Sequence, residues 1–144
     1  MRALAINAME LDQDALLADW TWRVPADHTL LLIGAFGDCI LGDPAGAHWN
    51  LNLLDGGYDK IAASSAEFNQ LKQDPANLQN WFNAEWVELA FQAGKVPSDD
   101  QCLGWQPHPA IGAGFSIDNI SVFSLRLYLS VMGQLFRQMS GECD

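Results

Sequence analysis

The chain has 144 residues, of which 49% are hydrophobic and 17% are charged, and its formal net charge is −11 from 18 acidic and 7 basic residues. This composition excludes a disordered chain, and the length predicts a single domain over residues 1–144. The acidic excess argues against direct binding to nucleic acid or to an anionic membrane, because both carry charge of the same sign.

The sequence shows no recognisable targeting signal and no metal-binding motif. The N-terminal apolar stretch is interrupted by Asn7 and Glu10, and no later run approaches the roughly 20 apolar residues of a membrane helix. The chain carries three widely spaced cysteines, Cys39, Cys102 and Cys143. An odd number at this spacing favours free thiols in a reducing compartment, and no cluster of four ligands is present. We therefore expect a cytoplasmic protein without a metal or cofactor.

The first half of the chain predicts a short helix followed by an antiparallel meander. Residues 11–20 have helical spacing, with Asp12 and Asp14 near the start, where acidic residues complement the helix dipole. Apolar segments separated by Gly, Asp and Pro then predict the strands of the meander. Residues 29–41 form two short strands, 29–34 and 37–41, or one bent strand with a glycine break, and further strands follow at 48–53 and 58–62.

The second half predicts helices, strands and a final helix. Ser64 or Ser65 can cap one helix, and Pro75 suits the first position of the next, predicted over 76–93 and ended by Gly94. Strands are predicted at 102–105 and 118–123, and an amphipathic helix at 124–139. The inward residues of this helix are expected to be Leu125, Leu129, Met132, Leu135, Phe136 and Met139. The element order predicts an α+β fold, with an antiparallel meander sheet packed by several helices including the C-terminal one.

Two tryptophans point to an exposed aromatic side chain. Trp81 and Trp86 are five residues apart, so on one helix they point in different directions. Both cannot sit at the centre of one narrow core stripe, so one of them is a candidate for an exposed position or an interface anchor, while a core position remains the expectation for either one taken singly.

The residues capable of chemistry form no recognised enzyme motif. The three histidines, His28, His48 and His108, are far apart, and each is more often structural than catalytic. His108 lies between two prolines in a stiff loop. No catalytic residue is predicted, and an enzyme remains a third hypothesis that depends on titratable groups converging around His108.

Loop and turn residues are the candidates for contacting a partner. An acidic surface attracts a basic protein and raises its association rate. The candidate residues are Asp43, Asp55, Asp99, Asp100, Trp105 and His108. The loop from Trp105 to Phe115 also supports an alternative, a module that binds a small molecule or peptide between stiff Pro and Gly positions.

Several segments occur together in an order that resembles a known family. They are residues 35–41 with Asp43-Pro44, residues 63–68, residues 104–112, Asp118-Asn119-Ile120 and residues 129–138. Over about residues 16–139 the chain resembles the C-terminal domain family of bacterial type VI secretion DNase-immunity proteins, long classed as a domain of unknown function. The residues that mark the family pattern are Gly37, Asp38, Pro109, Gly112, Asn119, Gly133, Gln134 and Arg137.

We interpret these family-pattern residues as structural. The glycines suit turns, Asn119 and Gln134 are expected to make buried hydrogen bonds, and Arg137 is expected to pair with a carboxylate near the helix C-terminus. Two departures from the family pattern stand out. Longer relatives carry a preceding GAD-like domain that is not seen here, and Phe136 occupies a position that is commonly His.

The resemblance implies toxin binding and no catalysis. A nuclease toxin needs a basic cleft for phosphates, and an acidic protein can present carboxylates in their place. The leading hypothesis is a cytoplasmic immunity or interaction protein that neutralises a cognate toxin, or another basic protein, by stoichiometric binding. It would bind neither nucleic acid nor a membrane directly.

Overall fold

The structure, a computed structural model, describes residues 4–106, 108–109 and 114–140. Five strands in these residues form an antiparallel sheet in chain order, β1 (Ala5–Asn7), β2 (Thr29–Gly34), β3 (Cys39–Gly42), β4 (His48–Leu51) and β5 (Tyr58–Ala62). Two more, β6 (Gln101–Trp105) and β7 (Ile120–Ser124), pair antiparallel in a second sheet. The helices are α1 (Gln13–Leu16), α2 (Ser65–Leu71), α3 (Pro75–Phe82), α4 (Ala84–Gln92) and α5 (Leu125–Ser140). The predicted α+β fold with a meander sheet and a C-terminal helix is confirmed.

Within the first 20 residues the structure differs from the prediction in two places. The structure adds β1, whose residues Ala5 and Ile6 pair with Gly34 and Ile33 of β2. The helix predicted over 11–20 is shorter, because α1 is followed by a 3-10 helix at Ala18–Trp20. This turn directs Trp20 into the core, where its indole N–H donates to the Leu129 carbonyl at 2.9 Å. A tertiary contact therefore replaces the last helical turn.

The caps of α2 and α3 follow the predicted chemistry. Ser64 accepts a hydrogen bond from the Glu67 amide at 3.1 Å, and Glu67 accepts one from the Ala63 amide at 3.1 Å. This reciprocal pair is a capping box. Asp74 caps α3 by accepting from the Ala76 amide at 2.9 Å, with Pro75 at the first helical position.

The single helix predicted over 76–93 is wrong, because Asn83 divides it into α3 and α4. Asn83 has a φ of 56°, a left-handed conformation that asparagine tolerates better than most residues. Its side-chain amide donates to Asp38 at 3.2 Å, which holds the break in place. Trp81 and Trp86 consequently lie on different helices, with Trp81 buried and Trp86 half-buried.

The helices cover both faces of the five-stranded sheet. α5 and the 3-10 helix pack on one face, around a core that includes Trp20, Leu41 and Leu129. α2 and α3 pack on the other face through Phe68 and Trp81, whose ring centroids are 5.3 Å apart. A third cluster joins α4 to the β6–β7 pair. Leu103 connects the two sheets by donating its backbone N–H to the Ala35 carbonyl at 2.6 Å.

The C-terminal helix matches its predicted range closely, but its inward face differs at the end. Leu125, Leu129, Met132 and Phe136 are buried as predicted, and Leu135 is half-buried. Met139 is 54% exposed, so its predicted inward position is wrong. No helix in the described residues is long and apolar enough to span a membrane.

Candidate functional site

An apolar groove runs between α5 and the β6–β7 pair. Its volume is about 360 Å³, and its lining is Trp105, Gln106, His108, Phe123, Leu127, Tyr128, Val131, Met132 and Leu135. Leu127 is 59% exposed and Val131 is 47% exposed, so two large aliphatic side chains of α5 face outward beside this groove. The groove brings together two of the predicted partner residues, Trp105 and His108. We call this surface the apolar groove.

Gly104 allows α5 to approach the β6–β7 pair at the floor of the apolar groove. A Cβ at position 104 would overlap the ring of Tyr128 and would lie 2.6 Å from the ring of Phe123. The Tyr128 hydroxyl accepts a hydrogen bond from the Trp105 backbone N–H at 3.1 Å. Burial raises the pKa of Tyr128, so the hydroxyl stays protonated at neutral pH. The floor is therefore a fixed aromatic layer.

His108 lies at one end of the apolar groove and is buried. Its Nε2 is 2.9 Å from the Leu53 carbonyl, to which it donates, and its ring meets that of Phe136 edge-on at 5.7 Å. Burial lowers the pKa of His108, which favours the neutral imidazole. Phe136, at the position that is commonly His in relatives, thus packs directly against His108.

Trp105 forms the inner wall of the apolar groove and is 4% exposed. Its ring stacks on Phe36 at 5.5 Å and meets Trp86 and Phe115 edge-on at 5.2 and 5.3 Å. Its indole Nε1 is buried without a hydrogen-bond partner in the described part of the chain. Phe115 of this aromatic cluster is 55% exposed, so the cluster reaches the surface.

A second groove lies on the other side of the first turn of α5. Its volume is about 270 Å³, and it is lined by Leu11, Asp12, Ala15, Leu16, Asp99, Asp100, Leu125 and Arg126. The predicted partner residues Asp99 and Asp100 therefore lie together, beside an aspartate from α1's N-cap. We call this surface the acidic groove. Sequence reasoning missed Asp12 and Arg126 here, because no local pattern places residue 12 next to residue 99.

The other two predicted partner residues lie in separate hairpin turns. Asp43 accepts hydrogen bonds from the Ala45 and Ala47 amides, each at 2.9 Å, and from the Trp49 indole at 3.0 Å. The bond from Trp49 is the largest cause that lowers the pKa of Asp43. Asp55 accepts from the Gly57 amide at 2.8 Å in the β4–β5 turn. The structure thus does not bring Asp43 and Asp55 into either groove.

Three of the family-pattern residues occupy tightly packed positions. Gly37 has a φ of +85°, which favours glycine, and its carbonyl accepts from the Cys39 thiol at 3.3 Å. Asp38 is 1% exposed, and burial raises its pKa to about 7. Gly133 lies where α5 crosses the 3-10 helix, so that a Cβ would be 2.5 Å from the Asp19 carbonyl oxygen.

The remaining family-pattern residues are less uniform. Gln134 is exposed, so the expected buried hydrogen bond at this position is wrong: its amide donates to Ser130 at 3.2 Å on the helix surface. Asn119 is half-buried and donates to the Gly114 carbonyl at 3.1 Å. Pro109 and Arg137 are half-buried, and the carboxylate pair expected for Arg137 stays a prediction. Gly112 lies outside the described residues.

Metal binding has no support from the described residues. No group of three or more His, Cys, Asp or Glu side chains in ranges 4–106, 108–109 and 114–140 is placed to hold a metal ion. Cys39 and Cys102 are both buried, and burial raises the pKa of the Cys39 thiol.

A comparison with protein families gives a match to an immunity-protein family. The model of the family described as "T6SS immunity protein Tdi1, C-terminal" matches residues 62–136, slightly more than half of the chain. The match begins at the last residue of β5 and includes α2–α4, the β6–β7 pair and most of α5. Every lining residue of the apolar groove thus lies inside the matched region. No curated protein matches the chain significantly.

Proposed function

Because the chain belongs to the Tdi1 C-terminal family of type VI secretion immunity proteins, we propose that it neutralises a cognate toxin by stoichiometric binding in the cytoplasm. The inhibition needs no catalysis, since occupying the toxin's working surface is sufficient. The family match is the observation that carries the proposal, and two features of the described residues support it.

The first support is the apolar groove and the outer face of α5 beside it. Exposed apolar side chains that adjoin one another often mark protein–protein contact surfaces on soluble domains. Leu127 and Val131 are one helical turn apart and both project from α5, next to the aromatic floor of the groove. We assign the centre of the toxin interface to this surface.

The second support is that the buried titratable side chains of His108 and Asp38 already make hydrogen bonds within the protein. His108 donates to the Leu53 carbonyl, and both oxygens of Asp38 accept hydrogen bonds from Leu53 and Asn83. Groups used in this way position the backbone, and they are poorly placed to transfer protons to a substrate. A binding role accounts for these residues better than an enzymatic one.

The net charge of this chain indicates which class of toxin it would bind. A protein with a net charge of −11 is attracted to a basic surface, and nucleases present such a surface to phosphates. We propose that the toxin is a nuclease and that carboxylates of this chain lie over its basic cleft. Asp99 and Asp100 are candidate carboxylates for this role, because they line a groove together with Leu125 and Arg126 at the start of α5.

The test uses the protein encoded by the gene next to this one, purified as an inactive variant. Wild-type chain should co-elute with it at a one-to-one ratio, and co-expression should relieve its toxicity. Leu127→Glu should weaken binding at least tenfold, since a charge would be placed in an apolar contact. Leu89→Glu on α4 is the matched control, because Leu89 is 47% exposed and the charge change is the same. Absence of any complex with wild type, or equal loss in both variants, contradicts the proposal.

A second candidate function has one observation in its favour. The volume of the apolar groove lies within the range of small-ligand pockets, and Trp105 and His108 provide an aromatic wall and a polar end. A small molecule or peptide bound there should raise the melting temperature of wild type and not that of a groove-filling Val131→Trp variant. Identical shifts for both proteins, or no shift across a metabolite panel, would count against this candidate.

A further inference from the structure

We propose that a polar pocket beside α2 binds a small molecule that carries both an anionic group and a hydroxyl group. The pocket has a volume of about 280 Å³ and lies where α2 meets β1, β2 and β4. It is on the face of the five-stranded sheet that α2 and α3 cover, opposite α5. We call it the His48 pocket. It is separate from the surface assigned to the toxin, so the inference goes beyond the proposed function.

The charge of the His48 pocket differs in sign from that of the protein as a whole. Its polar lining consists of Asn7, His48, Ser65, Asn69 and Lys72. None of the described residues that line it is Asp or Glu, although the sequence has 18 acidic residues against 7 basic ones. Salt screens the long-range repulsion from the distant carboxylates, whereas a contact inside the pocket is screened much less. An anionic group is therefore favoured here.

His48 supplies an unused hydrogen-bonding atom to this pocket. Its side chain is 7% exposed, its ring stacks on Phe68 at 4.8 Å, and its Nδ1 donates to the Gly46 carbonyl at 3.3 Å. The other ring nitrogen, Nε2, has no hydrogen-bond partner in the described part of the chain and is not sealed from solvent. Because Nδ1 carries the proton, Nε2 of the neutral ring is an acceptor. It is suited to a hydroxyl group of a ligand.

Lys72 supplies the positive charge of the pocket. Its ammonium group lies 5.8 Å from the centroid of the Phe68 ring, the same ring on which His48 stacks. Lys72 forms no ion pair with the residues that the structure describes. Ser65 and Asn69 lie one turn apart on α2 and add a hydroxyl and an amide beside this ammonium group. Three donor groups are thus available for the oxygens of an anion.

These groups define the chemical class of the ligand. A carboxylate or phosphate group accepts charge-assisted hydrogen bonds from Lys72, while a neighbouring hydroxyl donates to His48 Nε2. Small hydroxy acids and phosphorylated alcohols carry both features. The volume suits a molecule of only a few carbon atoms, since pockets for larger ligands begin at roughly 300 Å³.

A purely structural role for the same residues makes a different prediction. His48 and Lys72 would then only cover the ring of Phe68, and the depression between them would hold ordinary solvent. Substitution of Lys72 would change stability slightly, and added anions would act alike on every lysine of the surface. Binding at His48 is therefore measured directly, with ligands that differ in a single group.

The experiment follows the ring C–H resonances of the three histidines by NMR at about pH 8, where most histidine rings are neutral. Malate should shift the His48 resonances in a saturable manner and leave those of His28 and His108 in place, since neither lines this pocket. Succinate, which lacks the hydroxyl of malate, should bind about fivefold more weakly. Glycerol phosphate and propyl phosphate form the same comparison for a phosphate group. Tighter binding of either hydroxylated anion supports the proposal and identifies the anionic group.

Two lysine variants test the contact with the anion. Lys72→Gln should raise Kd for the tighter ligand at least about fivefold, because a charge-assisted hydrogen bond is lost. Lys60→Gln is the matched control, since Lys60 is also exposed, lies on β5 and loses the same charge. It should raise Kd by no more than about twofold. Unchanged resonances of His28 and His108 confirm that both variants are folded.

Three results would overturn the inference. They are the absence of a saturable His48 shift with both malate and glycerol phosphate, equal binding of each hydroxylated anion and its hydroxyl-free analogue, and equal loss of affinity in the two lysine variants. None of these results affects the proposed function, because toxin binding is measured separately. Conversely, failure of the chain to bind a toxin leaves the His48 pocket as proposed.

Discussion

Asp38 is a carboxyl group enclosed at the junction of three segments. It follows the β2–β3 turn, and its oxygens accept from the Leu53 amide at 2.6 Å and the Asn83 side chain at 3.2 Å. Burial raises its pKa from 3.8 to about 7, because two neutral donors replace the lost hydration of the carboxylate incompletely. One residue thus links the meander to the break between α3 and α4 and makes that link sensitive to pH.

The stability of the protein should depend on pH through Asp38. The folded pKa lies above the unfolded one, so the native state binds more protons than the unfolded state between them. The stabilisation is present below the unfolded pKa and is lost as the pH rises through about 7. We expect the free energy of unfolding to fall by about 2 kcal/mol from roughly pH 5 to pH 8 in wild type, relative to Asp38→Asn.

Urea denaturation at several pH values measures this difference. Asp27→Asn serves as the control, because Asp27 is exposed and its variant should keep the wild-type slope. The opposite pH dependence contributed by His108, whose pKa is lowered, is common to all three proteins and cancels in the comparison. Parallel pH profiles for wild type and Asp38→Asn would show that Asp38 does not titrate in this range.

Among the secondary-structure elements, helix α5 contacts the sheet, the 3-10 helix and both grooves. It packs on the sheet, accepts the Trp20 indole at the Leu129 carbonyl and forms a wall of both grooves. Its contact with the 3-10 helix is close because Gly133 has no side chain at the crossing. The position of α5 therefore sets the geometry of the proposed interface.

Gly133→Ala should destabilise the protein by about 1–3 kcal/mol, since the added methyl meets backbone and α5 or the 3-10 helix must shift. The higher helix propensity of alanine offsets part of this cost, by roughly 1 kcal/mol. Gly114→Ala is the control, because a Cβ there meets nothing within 4 Å. Chemical denaturation measures both changes, and equal stability of the two variants would mean that α5 adjusts without strain.

At the scale of the whole molecule, some acidic residues lie together in one groove and others lie in separate turns. Asp12, Asp99 and Asp100 share one groove, whereas Asp43 and Asp55 lie in separate turns and serve those turns by accepting backbone hydrogen bonds. The net charge of −11 nevertheless acts over longer distances as a whole. A net charge of this size attracts basic proteins in general.

The association rate with the neighbouring gene product should be strongly salt-dependent. Between about 50 and 500 mM salt we expect the association rate constant to fall by roughly tenfold, because screening shortens the range of attraction. The dissociation rate constant should change much less. Stopped-flow measurements separate the two. An association rate that is independent of salt would contradict a basic toxin surface.

Local sequence patterns were sufficient to predict most of the strands and helices. Alternating strands, the Ser64 capping box, Pro75 at a helix start and the periodicity of α5 depend on neighbours within a few residues, so they could be predicted. The composition and the family resemblance likewise required no structure. The break at Asn83 and the exposure of Met139 could not be predicted, because each depends on what distant segments pack against the helix.

The sequence by itself determined the α+β class, most of the succession of strands and helices, the acidic charge and the family resemblance, but neither β1 nor the division between α3 and α4. Tertiary structure alone decided which candidate residues share a surface. It placed Trp105 with His108, joined Asp99 and Asp100 to Asp12, and left Asp43 and Asp55 in separate turns. The physical reason is that a groove is made of side chains from segments far apart in the chain. Their meeting depends on how helices pack on sheets, which no local spacing records.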